Sequence, residues 1–300
     1  MNASVYLLDR VSAAVVGIHS SVPEAHPSTA VGLGTDRRGS GILIGSDGLI
    51  LTVNYVIMGA QSVIVTLTTG EQHQARIAAQ DFRSGLALLK IEASNLPYLE
   101  AVSSETCTLG QDVFTVASVG NEGRRADSGI ITYLGAFDAL WEFVLDRCVM
   151  TSAVNFGVGG GPLCNNHGKL VGITYLNMTD IGRSILAIPS EYFTAVRDEL
   201  VRYGKRVSAT PRAWMGLLSY TLREHVIIAG VMPGGPSEKA GLKQGDMVLA
   251  VDGRDISERR AFYDALWSHP PGDRVNFKIL RNNQVQTIEV RGVRIEDYFG

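Results

Sequence analysis

The chain has 300 residues and 32.3 kDa, enough to bury a sizeable core in two domains without disulfides or a metal. Hydrophobic residues make up 45% and charged residues 19%, which excludes a disordered or acidic-tail protein. The net charge of −3 and the absence of a long basic run argue against non-specific nucleic-acid binding, which needs clustered Lys and Arg.

Glycine accounts for 33 of the 300 residues, which favours tight turns and an all-β architecture. No apolar run has the length of about 18–20 residues that a membrane span requires. The opening stretch Met1 to Arg10 lacks a basic segment followed by an apolar one, so no signal peptide is expected in this chain. The expected compartment is then the cytoplasm, or the periplasm for a truncated exported protein. Cys107, Cys148 and Cys164 are odd in number and widely spaced, and read as buried free thiols.

Short strand-like runs fill the first two thirds of the chain. Val11 to Ile18, Gly41 to Ile44, Ile50 to Thr52, Ser62 to Leu67 and Leu86 to Ile91 come first. Asp112 to Val116, Gly129 to Tyr133, Val144 to Thr151 and Leu170 to Leu176 follow. This spacing suits barrels or a sandwich and not alternating βα units. The pairs Arg37–Arg38 and Arg124–Arg125 read as solvated loop charges. One helix is expected next, with Pro189-Ser190 at its start, Phe193, Val196 and Leu200 on one face, and Gly204 at its stop. Residues 204–212 are polar and aperiodic, and read as a linker. A second unit then covers 213–292, with a helix over Glu258 to Trp267 and an Asn282-Asn283 turn, and 293–300 form a tail.

The densest glycine cluster is Gly157-Val158-Gly159-Gly160-Gly161-Pro162-Leu163. A phosphate loop would continue into Lys-Ser or Lys-Thr and a helix, and a dinucleotide loop needs strand, glycines, helix. Here Pro-Leu-Cys follows, with strands on both sides. By itself the cluster is a tight turn. Taken together with Gly39-Ser40-Gly41-Ile42-Leu43-Ile44, Thr52-Val53-Asn54-Tyr55-Val56, and Ser84-Gly85-Leu86-Ala87-Leu88-Leu89-Lys90, it forms a set of four segments in register. In order and spacing they resemble the HtrA (Deg) family of trypsin-like serine proteases, whose motifs are G-S-G-x-x-I, T-N-x-H-V, D-L-A-x-L-K and N-x-G-N-S-G-G-P-L. The resemblance spans nearly the whole chain, including Ala187-Ile188-Pro189. It implies a mainly β fold, a trypsin-like double β-barrel over 1–203, and a place in protein quality control.

Carried over by position, the family's general-base His falls on Tyr55, its orienting Asp on Gly85, and its nucleophilic Ser on Gly159. The Asn before the nucleophile falls on Val158, and an Asp ahead of that motif on Ser152. Acyl transfer needs a hydroxyl nucleophile and a base that takes its proton near neutral pH. Glycine supplies no hydroxyl, and a phenol with a reference pKa of about 10 is no base at pH 7. The backbone N–H groups of Gly157 and Gly159 would still shape an oxyanion loop. His19, His26, His73 and His167 lie outside the matching positions, and Ser84 and Ser152 read as ordinary hydrogen-bonding serines. Cys164 and His167 have metal-ligand spacing but no second pair, so neither a metal nor a cofactor is expected.

Residues 213–292 resemble the PDZ domain attached to these proteases. The resemblance rests on Trp214-Met215-Gly216-Leu217 and on the run Ala240-Gly241-Leu242-Lys243-Gln244-Gly245-Asp246-Met247-Val248-Leu249-Ala250-Val251-Asp252-Gly253. A PDZ domain adds a peptide C-terminus as a strand to a sheet edge. Backbone N–H groups at Met215, Gly216 and Leu217 would hold the terminal carboxylate, and Phe262, Leu266 and Tyr263 would line the last side chain's pocket. Core packing is the equal alternative for Phe262 and Leu266. Arg212 reads first as a solvated linker residue, with a place beside the carboxylate as the alternative.

The expected function is therefore binding of peptide or protein C-termini by a catalytically inactive HtrA-like protein, acting as regulator or partner of an active protease. The alternative is a serine endopeptidase of the same type. The resemblance also implies a homotrimer, or assembly with an active paralogue.

Overall fold

Alternating and fully apolar strand segments need partners for both their side chains and their backbone groups, and antiparallel sheets supply both. In the computed structural model, which describes residues 3–119, 123–154, 156, 159–178 and 184–300, the chain divides into two units. The first takes in 1–29, 33–136 and 145–207, and the second takes in 30–32, 137–144 and 208–300.

The first unit opens on a helix, α1 (Ala3–Ala13), where a strand was expected from Val11. Val11 is fully buried, and with Ala14 and Val15 it anchors the end of the helix and the start of the strand. The following strands are β1 (Val15–Ser21), β2 (Asp36–Leu43) and β3 (Leu49–Val53). After the single turn α2 (Asn54–Ile57) come β4 (Ser62–Thr66), β5 (Gln72–Gln74), β6 (Arg76–Asp81) and β7 (Leu86–Lys90). They form a seven-stranded antiparallel sheet in the order β5-β4-β1-β2-β3-β7-β6.

A six-stranded closed barrel follows, made of β8 (Asp112–Ser118), β9 (Arg124–Asp138), β10 (Val144–Thr151), β11 (Pro162–Asn165), β12 (Leu170–Met178) and β13 (Ser184–Pro189). The expected single helix is two pieces, α3 (Glu191–Thr194) and α4 (Arg197–Tyr203), because Val196 leaves helical geometry at φ −129°. Gly204 ends α4 in the left-handed region, as a glycine stop does.

Two arginines expected in solvent are structural. Arg37 is 5% exposed and donates to the carbonyls of Gly34, Tyr55 and Met58. Arg124 reaches the carbonyls of Val15 and Thr66 from β9. A guanidinium has five donors, and carbonyls left over where strands end give it a buried place. All three cysteines are free and buried.

The second unit carries β14 (Leu217–Leu222), β15 (His225–Val231), α5 (Pro236–Ala240), β16 (Met247–Val251), β17 (Arg254–Asp255), α6 (Arg259–Trp267), β18 (Arg274–Arg281) and β19 (Gln284–Arg291). Its sheet runs β14-β15-β16-β18-β19, with β17 beside β16, so β14 is an edge strand. The expected tail is part of this unit. Val293 pairs with Trp214, and α7 (Glu296–Phe299) lays Tyr298 and Phe299 on the Trp214 ring at 4.7 and 5.5 Å. Residues 137–144, expected within the protease-like domain, also cluster with this unit.

Phe262 and Leu266 are fully buried in the unit's hydrophobic core, with Phe262 edge-on to Phe277 at 6.0 Å. We expect Phe262→Ala to destabilise this unit by about 3–5 kcal/mol in denaturant unfolding, as a large core truncation does.

Candidate functional site

The antiparallel pairing of β3 with β7 sets Val53 opposite Leu86, so the residues just beyond, Tyr55 and Gly85, are brought to one end of the sheet. The Asn54 backbone N–H donates to the Gly85 carbonyl at 2.8 Å and locks that end. Gly85 itself has φ +76°, a conformation that glycine adopts without cost and other residues adopt with strain. The glycine turn arrives from the barrel. Ser40 in β2 donates its N–H to the Gly159 carbonyl at 2.8 Å, and Gly160 donates to Thr174 at 2.8 Å. Gly160 is required to be glycine: its φ is +93°, and a Cβ there would stand 2.1 Å from the Ser40 carbonyl oxygen.

Tyr55 and Gly159 are thereby set in contact. The Tyr55 hydroxyl donates to the Tyr175 carbonyl at 3.0 Å and accepts from the Gly159 backbone N–H. The Tyr55 and Tyr175 rings lie 5.5 Å apart. A Cβ built on Gly159 would stand 1.9 Å from the Tyr55 hydroxyl oxygen, so the phenol occupies the space that a side chain at 159 would need. Burial pushes the Tyr55 phenol up to about 12, with the Gly159 N–H pulling the other way. Arg37 holds the Tyr55 backbone carbonyl at 2.8 Å. Gly157, Val158 and Asn155 lie outside the described residues.

Ser84, Ser152, His19 and His73 are engaged elsewhere. Ser84 donates to Asp81 at 2.7 Å, and Asp81 also takes Arg206 at 2.7 Å. Ser152 accepts from the Ile130 N–H at 3.1 Å. His19 sits on Asp36 and His73 on Glu71, both at surface carboxylates. Ser28 and His26 form a Ser–His pair at 2.6 Å. Ser28 is fully buried and its oxygen also takes the Arg37 guanidinium, so no substrate reaches it. Cys164 is fully buried in β11 while His167 is in the exposed turn beyond it, and no cluster of metal-ligating side chains occurs among the described residues.

The second constellation is the loop at the start of β14. The backbone N–H groups of Met215, Gly216 and Leu217 converge on one carboxylate, that of Glu142, at 3.0, 2.7 and 3.3 Å. Gly216 makes the loop possible with φ +71°. Glu142 is 5% exposed. Burial pushes its carboxyl up to about 7, against the opposing pull of the three N–H groups and the Arg212 charge. Arg212 thus stands near the carboxylate, stacked at 3.7 Å over Trp267, and is not simply a solvated linker residue. Trp214 packs on α7 with Tyr298 and Phe299, and its ring also backs Gly216, where an added Cβ would stand 3.0 Å from it. Arg259 and Tyr263, one turn apart on α6, are the helix residues that face the β14 edge. Sequence reading missed Arg259 and Glu142. Only the i, i+4 spacing of Arg259 with Tyr263 hinted at the first, and nothing local marked the second.

Comparison with known proteins finds the two domain types expected from the sequence. A trypsin-like peptidase domain model matches residues 39–173, and a PDZ domain model matches residues 207–291. The chain is a homologue of the HtrA-type proteases. It is 32% identical over 282 residues to a probable periplasmic serine endoprotease DegP-like of Halomonas elongata, covering 88% of this chain and 58% of that protein. Against the protein of the same description from Marinomonas sp., identity is 33% over 268 residues, covering 84% and 56%. The chain thus spans less than two thirds of these relatives. Among solved structures, the serine endoprotease from Yersinia pestis aligns over 98% of this chain and 99% of that one at 26% identity with a TM-score of 0.59. The HtrA-type protease AlgW with decapeptide, at 24% identity and TM-score 0.59, shares the fold.

In this HtrA-type homologue, the mutual exclusion at Tyr55 and Gly159 is directly measurable. Gly159→Ala is expected to cost about 1–3 kcal/mol of stability through overpacking. In a Tyr55→Ala background most of that cost should vanish, giving a coupling in the range of about 0.5–3 kcal/mol in a double-mutant cycle. An additive pair would contradict the contact.

Proposed function

We propose that this chain is a catalytically silent HtrA-type homologue that works by binding peptide or protein C-termini through its PDZ domain. The observation that carries the reading is the Tyr55 hydroxyl, lodged against the Gly159 N–H where a nucleophile's side chain would stand. Position 159 offers no hydroxyl, and position 85 offers no carboxylate. A phenol pushed up to about 12 takes no proton from a serine at neutral pH. The Gly159 N–H would be an oxyanion donor in the family's chemistry, and here its partner is Tyr55. Triad losses are strongly non-additive, so losing all three members costs little more than losing the essential one, about 10⁶-fold in kcat.

Binding remains open to the second unit. Its edge strand β14 and a loop of three converging N–H groups match what recognition of a C-terminal carboxylate by strand addition requires. The relatives named above are described as periplasmic, which supports an exported setting. Among the described residues no helix is long and apolar enough to cross a membrane. A homotrimer, or association with an active paralogue, is the assembly we would look for first.

The test is prolonged digestion of casein by the purified chain, with and without a pool of decapeptides carrying free C-termini. We expect no cleavage, and saturable capture of members of the pool. Cleavage that copurifies with the chain and survives Tyr55→Ala and Gly159→Ala would establish an endopeptidase with a relocated site. Gly159→Ser alone should also stay inactive in this assay, because it leaves no base and meets the Tyr55 hydroxyl.

A further inference from the structure

The carboxylate loop of the PDZ unit is not empty: residues 138–142, from the last residue of β9 towards β10, lie along its binding edge. The segment behaves as an added strand. Trp141 bridges antiparallel to Leu218 of β14, and the Ser219 N–H donates to the Leu140 carbonyl at 2.6 Å. On the α6 side, the Tyr263 hydroxyl donates to the Leu140 carbonyl at 2.7 Å, with the Ala139 carbonyl at 3.1 Å. At the far end, Arg259 takes the Asp138 carboxylate at 2.5 Å and the Asp138 carbonyl at 2.7 Å. At the near end, the Glu142 side chain supplies the carboxylate that the Met215, Gly216 and Leu217 N–H groups surround. Two features that strand addition demands of an incoming peptide are thus met by this chain: an antiparallel partner for an edge strand, and a carboxylate at the converging N–H groups.

We propose that residues 138–142 are a built-in ligand of the PDZ groove, with the Glu142 side chain standing in for a C-terminal carboxylate, so that external C-termini bind only by displacing them. This inference rests on the reading of the groove as a C-terminus site. The Glu142 environment fits an exchangeable occupant. Its carboxylate is almost wholly desolvated, and burial raises its proton affinity even with Arg212 and the three N–H groups opposing. Leu140, in the middle of the segment, is 49% exposed, and the segment's polar ties are its hydrogen bonds and the Asp138 and Glu142 carboxylates. A groove that is free only a fraction of the time weakens apparent affinity by that same fraction.

The experiment uses the full chain and two full-length variants, Glu142→Ala and Asp138→Ala. The second removes the far anchor and keeps the question open should the first fold poorly. Amide hydrogen exchange is followed over residues 215–219. The fluorescent probe is a decapeptide copying residues 133–142, amidated at its C-terminus, with a Glu→Gln version at its last position as control. We expect faster exchange at 215–219 in both variants, and probe binding about tenfold or more tighter to them than to the parent chain. The Gln control should bind more weakly. Unchanged exchange in the variants, or equal probe affinity for parent and variants, would overturn the proposal. The free-carboxylate pool separates the two readings. Equal capture by parent and Glu142→Ala would remove the built-in ligand and leave the C-terminus site standing. Released amides without capture of the pool by any form would keep the built-in ligand and remove the C-terminus site.

Discussion

A buried phenol must satisfy its hydroxyl, and the way Tyr55 does so organises the end of the first sheet against the barrel. Its oxygen stands between the Tyr175 carbonyl and the Gly159 N–H and bonds to both. Around that point the surrounding turns are clamped by backbone bonds, Asn54 to Gly85 and Ser40 to Gly159, which define the shape of the loops. The retained motifs therefore have a structural reason of their own. Gly160 has no room for a Cβ against Ser40, and Thr52 caps the same Ser40 carbonyl at 2.8 Å. A family pattern can persist for packing alone.

The PDZ unit follows a different logic. Its core is closed by Phe262, Tyr263, Phe277 and their neighbours, all fully buried, and its edge strand offers a row of backbone groups that need partners. Exposed edges invite pairing, and here a segment of the same chain covers that edge. The groups of α6 that reach the segment are Arg259 and the hydroxyl of Tyr263, whose ring belongs to the core beside Phe262. One short helix thus packs the core and holds the covering segment at once.

Much of this was legible in the sequence, because motif residues cluster locally: the glycine turn, the run into Asp252-Gly253, and the carboxylate loop at Met215 to Leu217 each sit within a few residues. What escaped had long-range causes. Arg37 looks like any loop arginine until β2 and α2 bring three carbonyls round it. Glu142 lies 73 residues from Met215, and no local spacing announces their meeting. The N-terminal helix was hidden because Val11 also begins an apolar run that continues into β1, and a short apolar run does not distinguish helix from strand. The break at Val196 likewise follows from backbone geometry and not from any helix-breaking residue.

The contact between Tyr55 and Gly159 also ties the two positions together under change. A side chain at 159 meets the Tyr55 hydroxyl, which stands 1.9 Å from where its Cβ would be, and any residue at 85 must tolerate φ +76°. While the phenol is in place every replacement at 159 arrives with a penalty attached, and a smaller residue at 55 removes it, so the order in which the two positions change decides the height of the barrier between them.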